Sequence, residues 1–319
     1  MSEKYETIVP SEPDAGERLQ WVSWLRSAAP YVHLHHGRTF VISFAGEVVA
    51  DRTLLNHLVM DVSLIASMGM RVVLVHGSRP QIEELMGLRK LEGQFYKGVR
   101  ITGPQELECV KEACGETRFD IEAAFSQGLP NTPMQHSRIK VVSGNFVTAR
   151  PMGIIDGVDY LHTGVVRKVD AESIQDLLSR GNIVLVSPTG FSPTGEAFNL
   201  TTEDVATAIA VAIRADKLIL SVGVDGVRVR GEKQQDLTAQ QAQALIQSKQ
   251  VDDEDVYNLG YALRAIKGGV DRVHIVPYAM DGGILTELFT HDGVGTMIST
   301  ENMESLREAT IDDVAAIVK

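Results

Sequence analysis

The chain has 319 residues, 44% of them hydrophobic, so it is long enough to bury the core of one large domain or two smaller ones. Thirty basic and forty-two acidic residues give a net charge of −12, which argues against nucleic acid and anionic membrane surfaces as partners. Cys109 and Cys114 are too few for a disulfide framework and are not spaced as a CxxC pair, so a reduced, cytoplasmic protein is expected. The polar start of the chain does not resemble a signal peptide, and no apolar run reaches the ~18 residues of a membrane span.

The amino-terminal part predicts a tail followed by a short helix. Residues 1–16 are acidic and polar, which predicts a disordered tail. Apolar side chains then recur at i, i+3, i+4 and i+7 until Pro30, which predicts an amphipathic helix over residues 17–30. This helix either packs on its own domain or reaches a second subunit, since aromatic side chains are enriched at interfaces. Its apolar stripe consists of Trp21, Trp24, Leu25 and Ala28.

A histidine-rich segment, His33-Leu34-His35-His36, precedes the first predicted strand. It lacks a carboxylate or a cysteine at ligand spacing, so we interpret it as a polar connector rather than a metal site. No metal is predicted for the chain.

The clearest pattern is a strand, a tight turn and a helix over residues 72–90. Val72–Val75 form an apolar run without alternation, which is typical of a parallel strand covered on both faces. With a strand over residues 39–47 and a helix ending near Gly69, it makes a βαβ unit with an expected right-handed crossover. A glycine turn that opens a helix after such a strand is where α/β proteins bind anions. The question is whether Gly77-Ser78-Arg79-Pro80 still binds phosphate.

The middle of the chain predicts a smaller antiparallel piece. A short strand over residues 95–102 and a helix from Pro104 come first. Residues 139–150 then read as a hairpin with a Gly-Asn turn, and a second strand pair near residues 160–169 is expected to extend it.

The parallel pattern resumes at residue 183. Strands are predicted over 183–188, 217–222, 272–276 and 293–298, with helices from Thr201, within 238–269 and over 283–289. This alternation predicts an α/β fold, a three-layer α/β/α sandwich with a mainly parallel central sheet, as one two-lobed domain over residues 31–300. Residues 303–319 read as a strand edge and an unfinished helix, which we interpret as the truncated start of a further domain.

Seven blocks in this order carry a family resemblance: FVISFAGE, VVLVHGSRPQI, GVRIT, VVSGNF, GEAFNLTTEDVATAIA, KLILSVGVDGV and ELFTHDGVGTMI. Together they resemble the amino-acid kinase domain of N-acetylglutamate synthase, which is related to acetylglutamate kinase and has the carbamate kinase-like fold. The end of the chain is similar to the start of a Gcn5-related acetyltransferase domain. The resemblance implies acetyl transfer from acetyl-CoA to L-glutamate, the first step of arginine biosynthesis, with arginine inhibiting through the kinase-like domain. Acetyl-CoA is then a substrate of the acetyltransferase domain, and no cofactor is expected in this chain.

The chain departs from the kinase pattern where phosphate is held. The family's first-strand lysine matches Ser43, and the second glycine of the following pair matches Gly46. Without the lysine, phosphoryl oxygens lose a principal cation. The HGGGP loop retains Gly77, but Ser78 and Arg79 replace its other glycines. The other positions that match the kinase substrate and nucleotide sites are Arg100, Asn199, Glu203, the loop 222–226 and, loosely, Asn258. Arg100 and Asn199 read equally as structural residues.

A second set of residues resembles the arginine site of arginine-sensitive relatives. A carboxylate suits a guanidinium, an ammonium suits an α-carboxylate, and a glycine turn offers bare carbonyls to the ligand. Taken singly, the lysine also reads as an exposed strand-start residue and the glutamate as a solvated helix residue. The predicted arginine-binding residues are Lys217, His274, Glu287, Gly293 and Gly295.

Three hypotheses therefore stand. The first is a non-catalytic arginine-sensing domain that assembles a homo-oligomer, dimer to hexamer, through the amino-terminal helix. The second is an active acetylglutamate kinase-like phosphotransferase. The third is an assembly module whose ligand site is lost.

Overall fold

The computed structural model describes residues 15–127 and 139–300. The predicted disordered tail lies outside the described residues except for its last two positions, and the predicted further domain at 303–319 lies wholly outside them. Among the described residues, no helix is long and apolar enough to cross a membrane.

Helices and strands alternate along the described chain. The helices are α1 (Ala15–His35), α2 (Gly46–Ala50), α3 (Arg52–Ser67), α4 (Arg79–Leu88), α5 (Pro104–Ser126), α6 (Ala171–Ser179), α7 (Thr202–Ala212), α8 (Ala239–Ser248), α9 (Asp253–Lys267) and α10 (Gly283–Phe289). The strands are β1 (Thr39–Phe44), β2 (Arg71–His76), β3 (Gln94–Tyr96), β4 (Val99–Ile101), β5 (Val141–Ser143), β6 (Val147–Pro151), β7 (Ile154–Ile155), β8 (Val158–Asp159), β9 (Gly164–Val169), β10 (Ile183–Val186), β11 (Thr189–Phe191), β12 (Ala197–Asn199), β13 (Lys217–Val222), β14 (Arg228–Val229), β15 (Glu232–Lys233), β16 (Asp236–Thr238), β17 (Arg272–Pro277) and β18 (Thr296–Ser299).

Eight strands form the central sheet, in the order β16-β18-β17-β13-β1-β2-β10-β5. All neighbours are parallel except β17 and β18. The inner strands are buried along nearly their whole length because helices cover both faces. One apolar cluster packs α6, α7 and α9 on one face, and another packs α3, α5 and α10 on the other. The predicted three-layer α/β/α sandwich with a mainly parallel sheet is confirmed.

The predicted hairpin over residues 139–150 is wrong. β5 extends the central sheet beside β10, whereas β6 joins a second sheet of order β12-β11-β6-β9. Turn signals and strand periodicity do not specify which partner a strand pairs with, so a change of sheet looked like a hairpin. The expected extension near residues 160–169 is confirmed in part, because β9 pairs antiparallel with β6.

The predicted end of the first helix at Pro30 is also wrong. α1 continues through Pro30 to His35, so His33 and His35 are helical rather than part of a connector. Proline disfavours a helix interior, but tertiary contacts fix the turn that follows it here. His35 Nε2 donates to the Leu288 carbonyl over 3.0 Å, and its ring packs edge-on against Phe289. The second half of α1 is thereby anchored on α10.

Candidate functional site

Three of the predicted arginine-binding residues come together beside the amino end of β13. Lys217 is the first residue of β13 and pairs with Arg272, two positions before His274 in β17. Because alternate residues of a strand share a face, Lys217 and His274 project from the same face of the sheet. Glu287 reaches them from α10, which packs on that face. We call Lys217, His274 and Glu287 the ligand cluster.

The ligand cluster is joined by hydrogen bonds. Lys217 Nζ lies 3.1 Å from His274 Nε2, and His274 Nδ1 lies 2.7 Å from Glu287 Oε1. Because the ammonium can only donate and the carboxylate can only accept, these contacts assign the ring proton to Nδ1. All three side chains are buried. A charged lysine and a charged glutamate are therefore bridged by one neutral imidazole.

The pKa values agree with that assignment. Burial and the neighbouring Lys217 lower the pKa of His274 to about 4, so the ring is neutral at pH 7. Burial alone would raise the pKa of Glu287, but the hydrogen bonds from His274 and from the Val294 and Gly295 amides lower it to about 2. Burial, followed by repulsion from Arg272, lowers the pKa of Lys217 to about 8.

A glycine turn wraps the other oxygen of Glu287. Glu287 Oε2 accepts from the Val294 amide over 2.7 Å and from the Gly295 amide over 2.8 Å. Gly293 has a φ of +61°, and a Cβ there would lie 2.6 Å from that carboxylate oxygen. A Cβ at Gly295 would overlap the Ile275 carbonyl. Both glycines are therefore required for the chain to close around the carboxylate.

A cleft of about 660 Å³ opens next to the ligand cluster. Lys217 lines it, whereas His274 and Glu287 do not, and their side chains are only 4% and 5% exposed. A ligand in this cleft therefore contacts Lys217 before it can contact His274 or Glu287. The other ionisable residues that line the cleft are His35, Arg38, Asp216, Asp271 and Arg272.

The degenerate kinase positions lie at the opposite, carboxyl edge of the sheet. Ser43 is buried near the end of β1, next to the turn that contains Gly46. A Cβ on Gly77 would lie 2.7 Å from the Gly46 amide nitrogen, and a Cβ on Gly46 would lie 3.1 Å from the Arg79 nitrogen. The Gly77 amide also donates to the Phe44 carbonyl over 2.7 Å. The glycines at this edge therefore serve to pack one turn against the other.

Ser78 and Arg79, which replace two loop glycines, engage neighbouring side chains. Ser78 is buried, and its hydroxyl lies 3.2 Å from Nδ1 of the neutral, buried His76. Arg79 turns outward and pairs with Glu83 over 3.1 Å. Arg100 pairs with the same Glu83 oxygen, again over 3.1 Å. Both guanidinium groups are thus engaged by this carboxylate, which offsets one of their two positive charges.

The other predicted kinase positions have local partners as well. Asn199 donates to the Thr102 hydroxyl over 3.0 Å. Glu203 accepts from the Tyr257 hydroxyl over 3.2 Å, and burial raises the pKa of its carboxyl. Asn258, the loose match to the second catalytic lysine, is buried on α9, and no partner for its Nδ2 occurs within residues 15–127 and 139–300. Among these same residues, no group of three or more His, Cys, Asp or Glu side chains is placed to hold a metal ion.

Sequence reasoning missed Lys233. Its ammonium donates to the Val294 carbonyl, so the expectation of bare carbonyls in the glycine turn is wrong at this position. The contact joins residues that are far apart in the chain, and the local sequence VRVRGEK offered no signal for it.

Comparison with known proteins identifies the relatives of this chain. Residues 38–277 match the amino acid kinase family. The chain is 55% identical over 308 residues to the amino-acid acetyltransferase of Ralstonia nicotianae, covering 96% of this chain and 68% of the relative. It is 48% identical over 300 residues to that of Ectopseudomonas mendocina, covering 94% and 69%.

Two solved structures extend the comparison. N-acetylglutamate synthase from Neisseria gonorrhoeae, complexed with coenzyme A and L-arginine, matches with a TM-score of 0.83 and 35% identity, over 93% of this chain and 70% of that one. Carbamate kinase from Giardia lamblia bound to AMP-PNP matches with a TM-score of 0.63 and 14% identity, over 83% and 99%. The second similarity concerns the fold alone.

Proposed function

Because the chain belongs to the amino acid kinase family and to the amino-acid acetyltransferases, we propose that residues 31–300 are an arginine-sensing regulatory domain without kinase activity. The proposed reaction of the whole protein transfers the acetyl group of acetyl-CoA to L-glutamate and yields N-acetyl-L-glutamate. Acetyl-CoA is a substrate of the acetyltransferase part, and residues 31–300 are not proposed to bind it. The cytoplasmic location expected from the sequence stays a prediction.

The observation that carries the proposal is the ligand cluster beside its cleft. Lys217 lines the cleft and carries a buried ammonium, which suits the α-carboxylate of an amino acid. Behind it, Glu287 holds a negative charge that suits a guanidinium. An amino acid with a cationic side chain therefore complements both ends of the cluster.

In the ligand-free protein Glu287 is already bonded to His274, and this favours a sensing role. Glu287 Oε1 is bonded to His274 and almost fully buried, so arginine reaches it only after that hydrogen bond opens. The ligand-free and ligand-bound arrangements therefore differ. A ligand shifts a conformational equilibrium only through such a difference in affinity between two states.

Calorimetry with L-arginine tests this proposal. We expect binding heat with the unmodified protein and a large loss of affinity in Lys217→Met. Lys168→Met, a matched change at an exposed lysine of β9, is expected to bind as the unmodified protein does. No heat and no thermal shift at millimolar arginine would contradict arginine sensing and favour an assembly module with a lost ligand site.

Kinase activity is the alternative to be tested directly. Ser43 supplies no cation, Gly46 and Gly77 pack on each other, and Arg79 and Arg100 both pair with Glu83. These features support the absence of phosphoryl transfer. ATP turnover with N-acetyl-L-glutamate, above the rate of ATP alone, would overturn this part of the proposal.

Oligomer formation through α1 is also proposed. Trp21 and Trp24 are 65% and 53% exposed, while Ala28 of the same stripe is buried. An exposed aromatic stripe on a helix anchored at its other end is suited to a second copy of the chain. Light scattering is expected to show an oligomer, between dimer and hexamer, that shrinks in Trp21→Ser/Trp24→Ser. A monomer in the unmodified protein would contradict the proposal.

A further inference from the structure

Lys233 lies in β15 and is not among the residues that line the cleft. Its ammonium donates to the carbonyl of Val294, and the same peptide group carries the amide of Gly295. That amide donates to Glu287 Oε2 over 2.8 Å. Glu287 Oε1 then accepts from His274, which accepts in turn from Lys217. One continuous chain of hydrogen bonds therefore runs from Lys233 to Lys217.

We propose that Lys233 is a positioning residue of the candidate arginine site and acts through the Val294–Gly295 peptide on Glu287. The inference rests on the proposed arginine site and adds a residue that lies outside the ligand cluster. Lys233 fixes Glu287 Oε2, which accepts from the turn. Glu287 Oε1 can then release His274 and bind the ligand instead.

Hydrogen-bond polarisation gives the physical reason. A cation on a peptide carbonyl makes the amide of the same peptide a stronger donor, so Lys233 strengthens the Gly295 bond to Glu287. A carboxylate held by several donors keeps one orientation and stays ionised. A charge fixed before the ligand arrives costs less ordering on binding and so gives tighter binding.

The surroundings of Lys233 hold it in place. Residues of its segment are bonded to β18: the Val227 amide donates to Thr296 Oγ1 over 2.9 Å, and the Met297 amide donates to the Gln235 carbonyl over 2.7 Å. Gly226 has a φ of +121°, and a Cβ there would lie 3.2 Å from Lys233 Cε. The segment over residues 226–235 thus supports the glycine turn.

Lys233→Met removes the ammonium and keeps most of the side-chain volume. In the ligand-free protein we expect amide hydrogen exchange of residues 293–296 to become about tenfold faster. The turn opens more easily because the variant lacks the charge-assisted bond to the Val294 carbonyl. Exchange over residues 217–222 is expected to stay unchanged. Lys168→Met serves as the matched control and is expected to change neither segment.

Arginine titration of Lys233→Met provides the second readout. We expect an affinity about tenfold below that of the unmodified protein, with a thermal midpoint close to it, since a residue that only stabilises the fold would lower the midpoint and leave the affinity alone. Unchanged exchange in the turn, or an affinity that stays the same or rises, would overturn the inference. If the unmodified protein binds no arginine, the proposed function fails and the ligand half of the inference fails with it. The exchange experiment still decides whether Lys233 holds the turn.

Discussion

Two regions of the central sheet use glycine for different purposes. At the carboxyl edge, Gly46 and Gly77 let two turns pack backbone against backbone. Beside β17, Gly293 and Gly295 let a turn close around a buried carboxylate that is linked to a buried ammonium. Turns of a shape that binds phosphate have thus become packing elements, while buried charge is concentrated at the ligand cluster. The shape of a glycine turn therefore does not reveal its ligand without the side chains around it.

The largest effect is expected on arginine affinity, when the same Glu→Gln substitution is made in the ligand cluster and at a degenerate kinase position. Glu287→Gln removes the buried negative charge proposed to bind the guanidinium, and loss of one partner of a buried charge pair costs about 2–5 kcal/mol of binding, so arginine affinity should fall at least ~30-fold. Glu203→Gln at the carboxyl edge should leave affinity within about twofold. Calorimetry on both variants measures this. A larger loss in Glu203→Gln would reverse the comparison.

Packing of the carboxyl-edge turns predicts a smaller effect, on stability. Gly77→Ala places a methyl group against the Gly46 backbone, and such overpacking should lower the free energy of unfolding by about 1–3 kcal/mol. Gly87→Ala, where a Cβ meets nothing within 4 Å inside α4, should raise it by up to ~1 kcal/mol. Urea unfolding of both variants checks the pair. Equal stability of the two would mean that the turns are not closely packed.

The pH dependence of arginine affinity is expected to follow Lys217. Its pKa in the ligand-free protein is lowered to about 8, and a bound carboxylate favours the protonated form. Affinity should therefore be level from pH 6.5 to 7.5 and fall by up to about tenfold between pH 8 and pH 9. The neighbouring charged groups are Arg272, Glu287, Asp216 and Asp271.

Titration calorimetry at each pH measures this profile. Lys217→Met, which carries no titrating group at the position, should bind weakly and lose the fall above pH 8. An identical fall in the unmodified protein and in Lys217→Met would assign the titration to another group.

The smallest effect is expected at the rim of the cleft. Arg38 pairs with Asp216 over 2.9 Å, but its side chain is 55% exposed, and such surface pairs contribute about 0.2–1 kcal/mol. Arg38→Ala should change arginine affinity by less than about threefold. A loss as large as that of Glu287→Gln would move the binding site from the ligand cluster to the rim.

The fold was predictable from the sequence where strands are fully buried. β1, β2, β10, β13 and β17 are apolar runs, and such runs mark strands covered by helices. Pairing partners were not predictable, because Val141–Ser143 and Val147–Pro151 read as one hairpin although they belong to different sheets. The end of α1 was missed because helix continuation through Pro30 depends on contacts of His35 with α10.

The candidate site was predictable only as a set of residues. The resemblance selected Lys217, His274 and Glu287, and the structure brings them into one hydrogen-bonded cluster. The sequence could not show that His274 is a neutral bridge, that Glu287 is closed off from the cleft, or that Lys233 contacts the turn. Each of these depends on burial and on contacts between distant segments, which residue type and spacing do not encode.

The central claim is that the ligand site of this domain is the ligand cluster beside β13 and β17, and not the degenerate kinase positions at the carboxyl ends of β1 and β2. Amide hydrogen exchange with and without saturating L-arginine, read segment by segment, tests it most directly. We expect arginine to slow exchange over residues 272–277 and 287–296 and to leave residues 43–47 and 76–81 unchanged, with Mg-ATP slowing exchange in none of these segments. Slower exchange over residues 43–47 and 76–81 with either compound, and none at the ligand cluster, would contradict the account.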